Sequence, residues 1–103
     1  MARKITLNAT AAFFAGKNYH ESNTSVNVDA SGLVKLTLWG NTIAQYNKGD
    51  DRAIKFTLAG WNTNTTRERL RGLGIDITTK RGKIYHDGHE IDAFGLYDSG
   101  LFA

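Results

Sequence analysis

The stretch SVNVDASGLVKLTLWG, residues 25–40, decides the fold. Val26 and Val28 alternate with polar residues, and after a polar tetrad Leu33 or Val34, Leu36 and Leu38 continue the alternation. A period of two marks a strand with one buried face. The tetrad Asp29-Ala30-Ser31-Gly32 reads as a type I turn with glycine in the left-handed position, so the two strands fold back on each other. Gly40-Asn41 supplies a second tight turn, from KLTLW into TIAQY, and the polar loop 47–51 leads to a further strand in AIKFTL. Three turn signals at short spacing predict an antiparallel meander over residues 24–58.

Two helices flank it. Near the N-terminus Asn8 is placed to cap, Ala9 to Ala15 to form two turns, and Gly16 to end them, with Phe13 and Phe14 as anchors. Such a helix is too short to stand alone. After the meander comes GWNTNTTRERL, residues 60–70. Thr65 and Glu68 have the spacing of a capping box. Thr66, Leu70 and Leu73 fall on one helical face, and Gly72 and Gly74 offer two stops. A second β region follows: residues 75–79 and 83–86 are joined through Lys80-Arg81-Gly82, and Asp87-Gly88 is a strong two-residue hairpin turn. That turn pairs His86 with His89, Tyr85 with Glu90, Ile84 with Ile91 and Lys83 with Asp92. The tail AFGLYDSGLFA, residues 93–103, is apolar enough to dock on the core. The expected fold is α+β, one domain over residues 1–103: an antiparallel sheet of about five or six strands, with two short helices on one face.

Composition narrows the function. A chain of 103 residues suits one modest core. There is no cysteine, which excludes disulfides and thiolate metal sites. No apolar run reaches the roughly 18 residues of a membrane span, and Asn8 and Thr10 break the apolar patch of MARKITLNATAAFFAG, so neither a membrane partner nor a signal peptide is expected. The net charge of +3 permits an anionic partner without demanding one. There is no Walker loop, nucleophile elbow or HExxH, and no cofactor is implied. The reading is a non-enzymatic protein.

The main candidate surface is Thr63, Asn64, Thr65 and Thr66 with Arg67, Arg69 and Arg71. A helix start offers free N–H groups and partial positive charge to a phosphate, and Arg67 and Arg71 sit one turn apart. Trp61 can stack on a base if it is exposed. Lys80, Arg81 and Lys83, with Arg3 and Lys4, extend the basic character, although Glu68, Asp76, Asp87, Glu90 and Asp92 blunt it. The plainer account is a capped helix with a solvated charged face. Trp39 and Trp61 are on that account core or staple residues. His86 and His89 share a hairpin face and are weak candidates for a metal, since no third ligand is evident and Asp-Gly between polar residues is an ordinary hairpin tip.

The blocks AFFAGKNYHESNTSV, LTLWGNTIAQY and AGWNTNTTRERLRGLG together resemble small bacteriophage proteins that carry a Gly-Trp-x-Thr-Asn-Thr-Thr-x-Glu-Arg-Leu block, here Gly60 to Leu70. The resemblance runs over about residues 10–75 and includes Gly40-Asn41 and Ile43-Ala44. Relatives carry histidine just before that glycine, where this chain has Trp39. The resemblance implies a phage origin and the cytoplasm of a bacterial host, and it brings no activity or ligand. The expectation is therefore a nucleic-acid-binding protein acting through residues 63–71, Lys80, Arg81 and Lys83. Its alternative is a protein that binds a host enzyme or defence system. Pairing with a second copy through a strand edge is a third expectation.

Overall fold

The computed structural model describes residues 4–49 and 51–103. Helix α1 (Lys4–Ala15) comes first, then β1 (Tyr19–Glu21), β2 (Thr24–Val28), β3 (Leu33–Leu38), β4 (Asn41–Asn47) and β5 (Ala53–Phe56). Helix α2 (Asn64–Gly72) is followed by β6 (Ile77–Lys80), β7 (Lys83–His86), β8 (His89–Ile91) and β9 (Tyr97–Phe102). The fold is α+β, with a six-stranded antiparallel sheet in the order β1-β2-β3-β4-β5-β9 and a separate three-stranded sheet β6-β7-β8. The helices lie on the face of the large sheet that carries the buried residues Val26, Val34, Leu36, Leu38 and Phe56. There α1 meets β1, β2 and β3, and α2 meets β4 and β6. Ile75, Ile77 and Ile84 bring the small sheet into the same core.

The Asp29–Gly32 turn forms as expected, with the Gly32 N–H donating to Asp29 O at 3.1 Å and Gly32 at φ 89°. The second turn is shifted by one residue: Leu38 pairs with Asn41, so Trp39 (φ 55°) and Gly40 (φ 81°) are its centre, not Gly40-Asn41. Two consecutive positive φ values make this a type I′ turn, the twist that matches a right-handed hairpin. Between Leu36↔Ala44 and Thr37↔Thr42 the ladder shifts, leaving Ile43 as the extra residue of a bulge on β4. The bulge explains why the neighbours Ile43 and Ala44 are both buried.

The helix starts differ from the expectation. Helix α1 already includes Lys4, so Asn8 lies inside it, because Thr6, Ala9 and Phe13 form the buried stripe. Arg3 lies outside the described residues. Phe13 is fully buried whereas Phe14 stands at the surface. Gly16 does end α1: Lys17 N–H reaches Ala12 O at 3.0 Å and Gly16 N–H reaches Phe13 O at 3.2 Å, a Schellman closure. In α2 the cap is Thr63, not Thr65. Thr63 is extended (φ −117°), and its hydroxyl accepts from Thr66 N–H at 3.1 Å. Glu68 does not turn back to the helix start, because Arg69 and Thr6 both donate to its carboxylate.

The helices cross closely at Gly72. A Cβ there would stand 2.5 Å from Thr6 Cγ2 and 3.0 Å from Thr10 Oγ1. Alanine ordinarily improves a helix over glycine by about 1 kcal/mol. Here Thr6 is buried and hydrogen-bonded and cannot yield. Gly72→Ala is therefore expected to destabilise by about 1–3 kcal/mol through overpacking. Urea unfolding checks this: the midpoint should fall with an unchanged slope.

In the second β region, Arg81 (φ 54°) and Gly82 (φ 79°) form the first turn, with Lys80 opposite Lys83. The Asp87-Gly88 hairpin has the expected register from His86↔His89 to Ile84↔Ile91. The ladder stops there. Lys83 lies 4.0 Å from Glu90 instead of pairing with Asp92. Asp92 turns into the next loop, where its carboxylate accepts from Phe94 N–H at 2.8 Å and Gly95 N–H at 2.7 Å. The tail then docks as a strand, β9 against β5. The edges of the large sheet are β1 and β9. Strand β1 has three residues, and β9 is interrupted where Ala53↔Phe102 steps to Lys55↔Asp98 around Gly100.

Two exposed carboxyls give the fold an acid dependence. The N–H groups of Gly95 and Phe94 hold Asp92 below the ordinary value of 3.8, and the Ser31 hydroxyl, then the Leu33 N–H, do so for Asp29. A depressed carboxyl contributes stability above its unfolded pKa and loses it as pH falls through the folded one. The melting temperature should thus decline as pH drops below about 4. Asp29→Asn/Asp92→Asn, which keeps an acceptor at each turn, should flatten that decline in a thermal-melt series by circular dichroism.

Candidate functional site

Both tryptophans of the chain stand at the surface: Trp39 is 70 % exposed and Trp61 57 %. This corrects their placement in the core. Trp39 occupies the first central position of the type I′ turn, which aims its side chain away from the sheet. Trp61 follows another left-handed pair, Ala59 (φ 54°) and Gly60 (φ 83°), closed by Trp61 N–H to Leu58 O at 2.8 Å. The two turns lie at the same end of the molecule and flank an open cleft of about 410 Å³. Leu38, Ile43 and Leu58 line it together with Asn41, Thr63 and Thr66, so the β4 bulge and the start of α2 both shape it. Among the described residues no charged side chain lines it.

Beside the cleft the apolar surface continues. Gly60 N–H donates to Ala93 O at 2.7 Å, and the Phe94 ring lies over Gly60, where a Cβ would come within 2.7 Å of it. Phe94 is nonetheless 82 % exposed. From the sequence alone Phe94 has no role beyond that of a tail that docks on the core. The Asx turn that contains it, Asp92-Ala93-Phe94-Gly95, is the available signal.

The structure separates the predicted basic residues. Arg69 is 2 % exposed and so is removed from any ligand surface. Its Nε donates to Thr24 Oγ1 at 3.0 Å and its Nη1 to Thr6 Oγ1 at 2.6 Å, and it pairs with Glu68. Thr66 is likewise buried. Thr63 is exposed, but its hydroxyl serves the cap. Asn64 is exposed, Thr65 half-buried, and among the described residues their backbone N–H groups meet no protein acceptor. Arg67 is half-buried and donates to the side-chain oxygens of Asn62 and Asn64. Burial, and next the charge of Arg71, lower its pKa. Arg71 is exposed, and its Nε donates to Ile77 O at 2.8 Å while its terminal nitrogens meet no acceptor among the described residues. Lys80, Arg81 and Lys83 are exposed around the β6–β7 turn.

His86 and His89 do pair across their hairpin, but His86 packs edge-on against Phe56 with ring centroids 4.9 Å apart, while His89 is exposed. Among the described residues no group of three or more His, Asp or Glu side chains is placed to hold a metal. No helix among them is long and apolar enough to cross a membrane.

The Kyanoviridae Gp96 protein family matches residues 2–99. The chain belongs to that family. It is thus a small phage protein, which bears out the phage origin that the resemblance implied. No curated protein and no solved structure matches it. Membership in the Kyanoviridae Gp96 family spans the whole site: both tryptophans, the bulge, the start of α2 and Phe94 lie within the matched residues.

Proposed function

We propose that this phage protein binds single-stranded nucleic acid at the end of the molecule that holds Trp39 and Trp61. The carrying observation is that two exposed tryptophans flank a cleft adjoining a positively polarised helix start. Aromatic platforms beside cations suit a strand whose bases are unpaired, since every base has a face to stack and every phosphate a charge to meet. Asn64 and Thr65 offer N–H groups there, and Arg67 and Arg71 follow along α2. The mutual repulsion of those arginines is what a bound phosphate would relieve. Arg69 and Thr66 drop out of the interface. Lys80, Arg81 and Lys83 act as a more distant attraction, their like charges crowded at one turn. The host cytoplasm is where such a strand would be met.

Fluorescence polarisation with labelled single- and double-stranded oligonucleotides, titrated with salt, tests this. Single strands should bind more tightly, with affinity falling as salt rises. Arg67→Ala/Arg71→Ala should lower the log–log salt slope by about 1.4, or about 0.7 per lost phosphate contact. Absent binding, or binding indifferent to salt, removes the reading.

The apolar floor of Leu38, Ile43 and Leu58 and the neighbouring Phe94 favour a second reading, a host protein whose side chain enters the cleft. In that case the protein would act as an inhibitor or an antagonist of host defence. Nuclease-resistant copurification with one host protein, lost on Trp61→Ala, would distinguish it.

A further inference from the structure

We infer that the cleft is a nucleobase site, which recognises a neutral heterocyclic ring independently of phosphate. The inference takes its class of ring from the nucleic-acid reading but can stand or fall separately. Three observations carry it. The first is charge: among the described residues the lining holds two indoles, three aliphatic side chains, one amide and two threonines and no ionised group, so an uncharged occupant matches it. The second is segregation. Arg67 and Arg71 lie along α2 outside the lining, so ring and phosphate would be met by different residues. The third is the state of the polar groups inside. The Thr63 and Thr66 hydroxyls bond each other at 2.9 Å and serve the cap. Among the described residues the one hydrogen bond of the Asn41 side chain is a long 3.4 Å contact from Nδ2 to Trp39 O, which leaves its Oδ1 and its other N–H for a ligand. A planar ring with donors and acceptors on its edge and an apolar face satisfies both the indoles and Asn41; an aliphatic side chain leaves the amide unmatched.

The same ring could arrive on a free nucleotide or within a strand, and the experiment separates these. The chain has two tryptophans, both in the cleft, so a ¹⁵N-correlated spectrum shows two indole signals, assigned with Trp61→Ala. Adenosine, uridine, AMP and an eight-nucleotide single strand are titrated in turn. Saturable movement of both indoles by a nucleoside is expected, with AMP binding within a few-fold of adenosine. Asn41→Ala should weaken the nucleoside by about three- to tenfold while leaving the fold intact. Nucleoside binding without strand binding would retain the site, assign it to free nucleotides and remove the proposed function. Strand or AMP binding without any response to nucleosides would keep that function and overturn the nucleobase site. Still indoles with every probe would overturn both.

Discussion

Arg69→Ala should cost the protein about 3–5 kcal/mol, the usual loss when one partner of a buried charge network is removed. The guanidinium joins three elements: Thr6 on α1, Thr24 on β2, and its own helix neighbour Glu68. Thr6 Oγ1 ties these contacts together, since it accepts from Arg69 and donates to Glu68 at 3.1 Å. Alanine removes the donor to two buried hydroxyls, Thr6 and Thr24, and leaves a void where the fork lay. Domains of this size hold about 5–15 kcal/mol in total, so the loss is a large share of the stability and the denaturation midpoint should fall steeply. Arg69→Lys keeps the charge but cannot supply Nε and Nη1 to two hydroxyls at once, so it should recover only part of the loss. Chemical denaturation of both variants is the measurement, and an unchanged midpoint for Arg69→Ala would refute the network. For function, the lysine variant should bind oligonucleotides with the salt slope of the unmodified protein, since Arg69 faces no ligand.

That arginine also shows where the sequence was readable. The hairpins were legible because their turns carry local chemistry: Asp29 to Gly32, and Asp87-Gly88, each hold their own hydrogen bonds or left-handed glycine. The return of YDSGLF to pair with β5 was not, because that ladder joins residues far apart and no local pattern names its partner. Charge alone places Arg69 at the surface, whereas its helical position places it in the core. It stands three residues after Thr66, on the same face as Leu70 and Leu73, all of which are buried. Helical period outweighed residue type there, which is tolerable only because Thr6 and Thr24, distant in sequence, supply acceptors. The cleft was half legible. Trp61 was marked as a stacking group conditional on exposure. Trp39 was not, because alternation places it at the end of a strand and says nothing of its φ.

Trp39→Asn should raise stability while weakening binding. A bulky side chain in the left-handed region is strained by about 1–2 kcal/mol, and Trp39 holds φ 55° with little compensation, being mostly exposed. Its N–H to Asn23 O at 2.8 Å is a backbone bond that any residue keeps. Asparagine before glycine is the favoured pair for a type I′ turn, so this substitution relieves the strain in place. Each kcal/mol gained should lift the melting temperature by about 4–8 °C. Trp39→Ala removes the indole without easing the backbone and should not raise it. Both variants should lose single-strand affinity by about tenfold or more, the worth of one stacked base. The contrast separates two causes that a single variant would confound. A higher melting point with Asn but not Ala, and weakened binding in both, means that the fold tolerates a strained hairpin in order to present an aromatic face. If Asn leaves stability unchanged, the turn is not strained. If it stabilises but affinity survives, Trp39 is a wall of the cleft that the ligand does not touch, and Trp61 alone carries the stack.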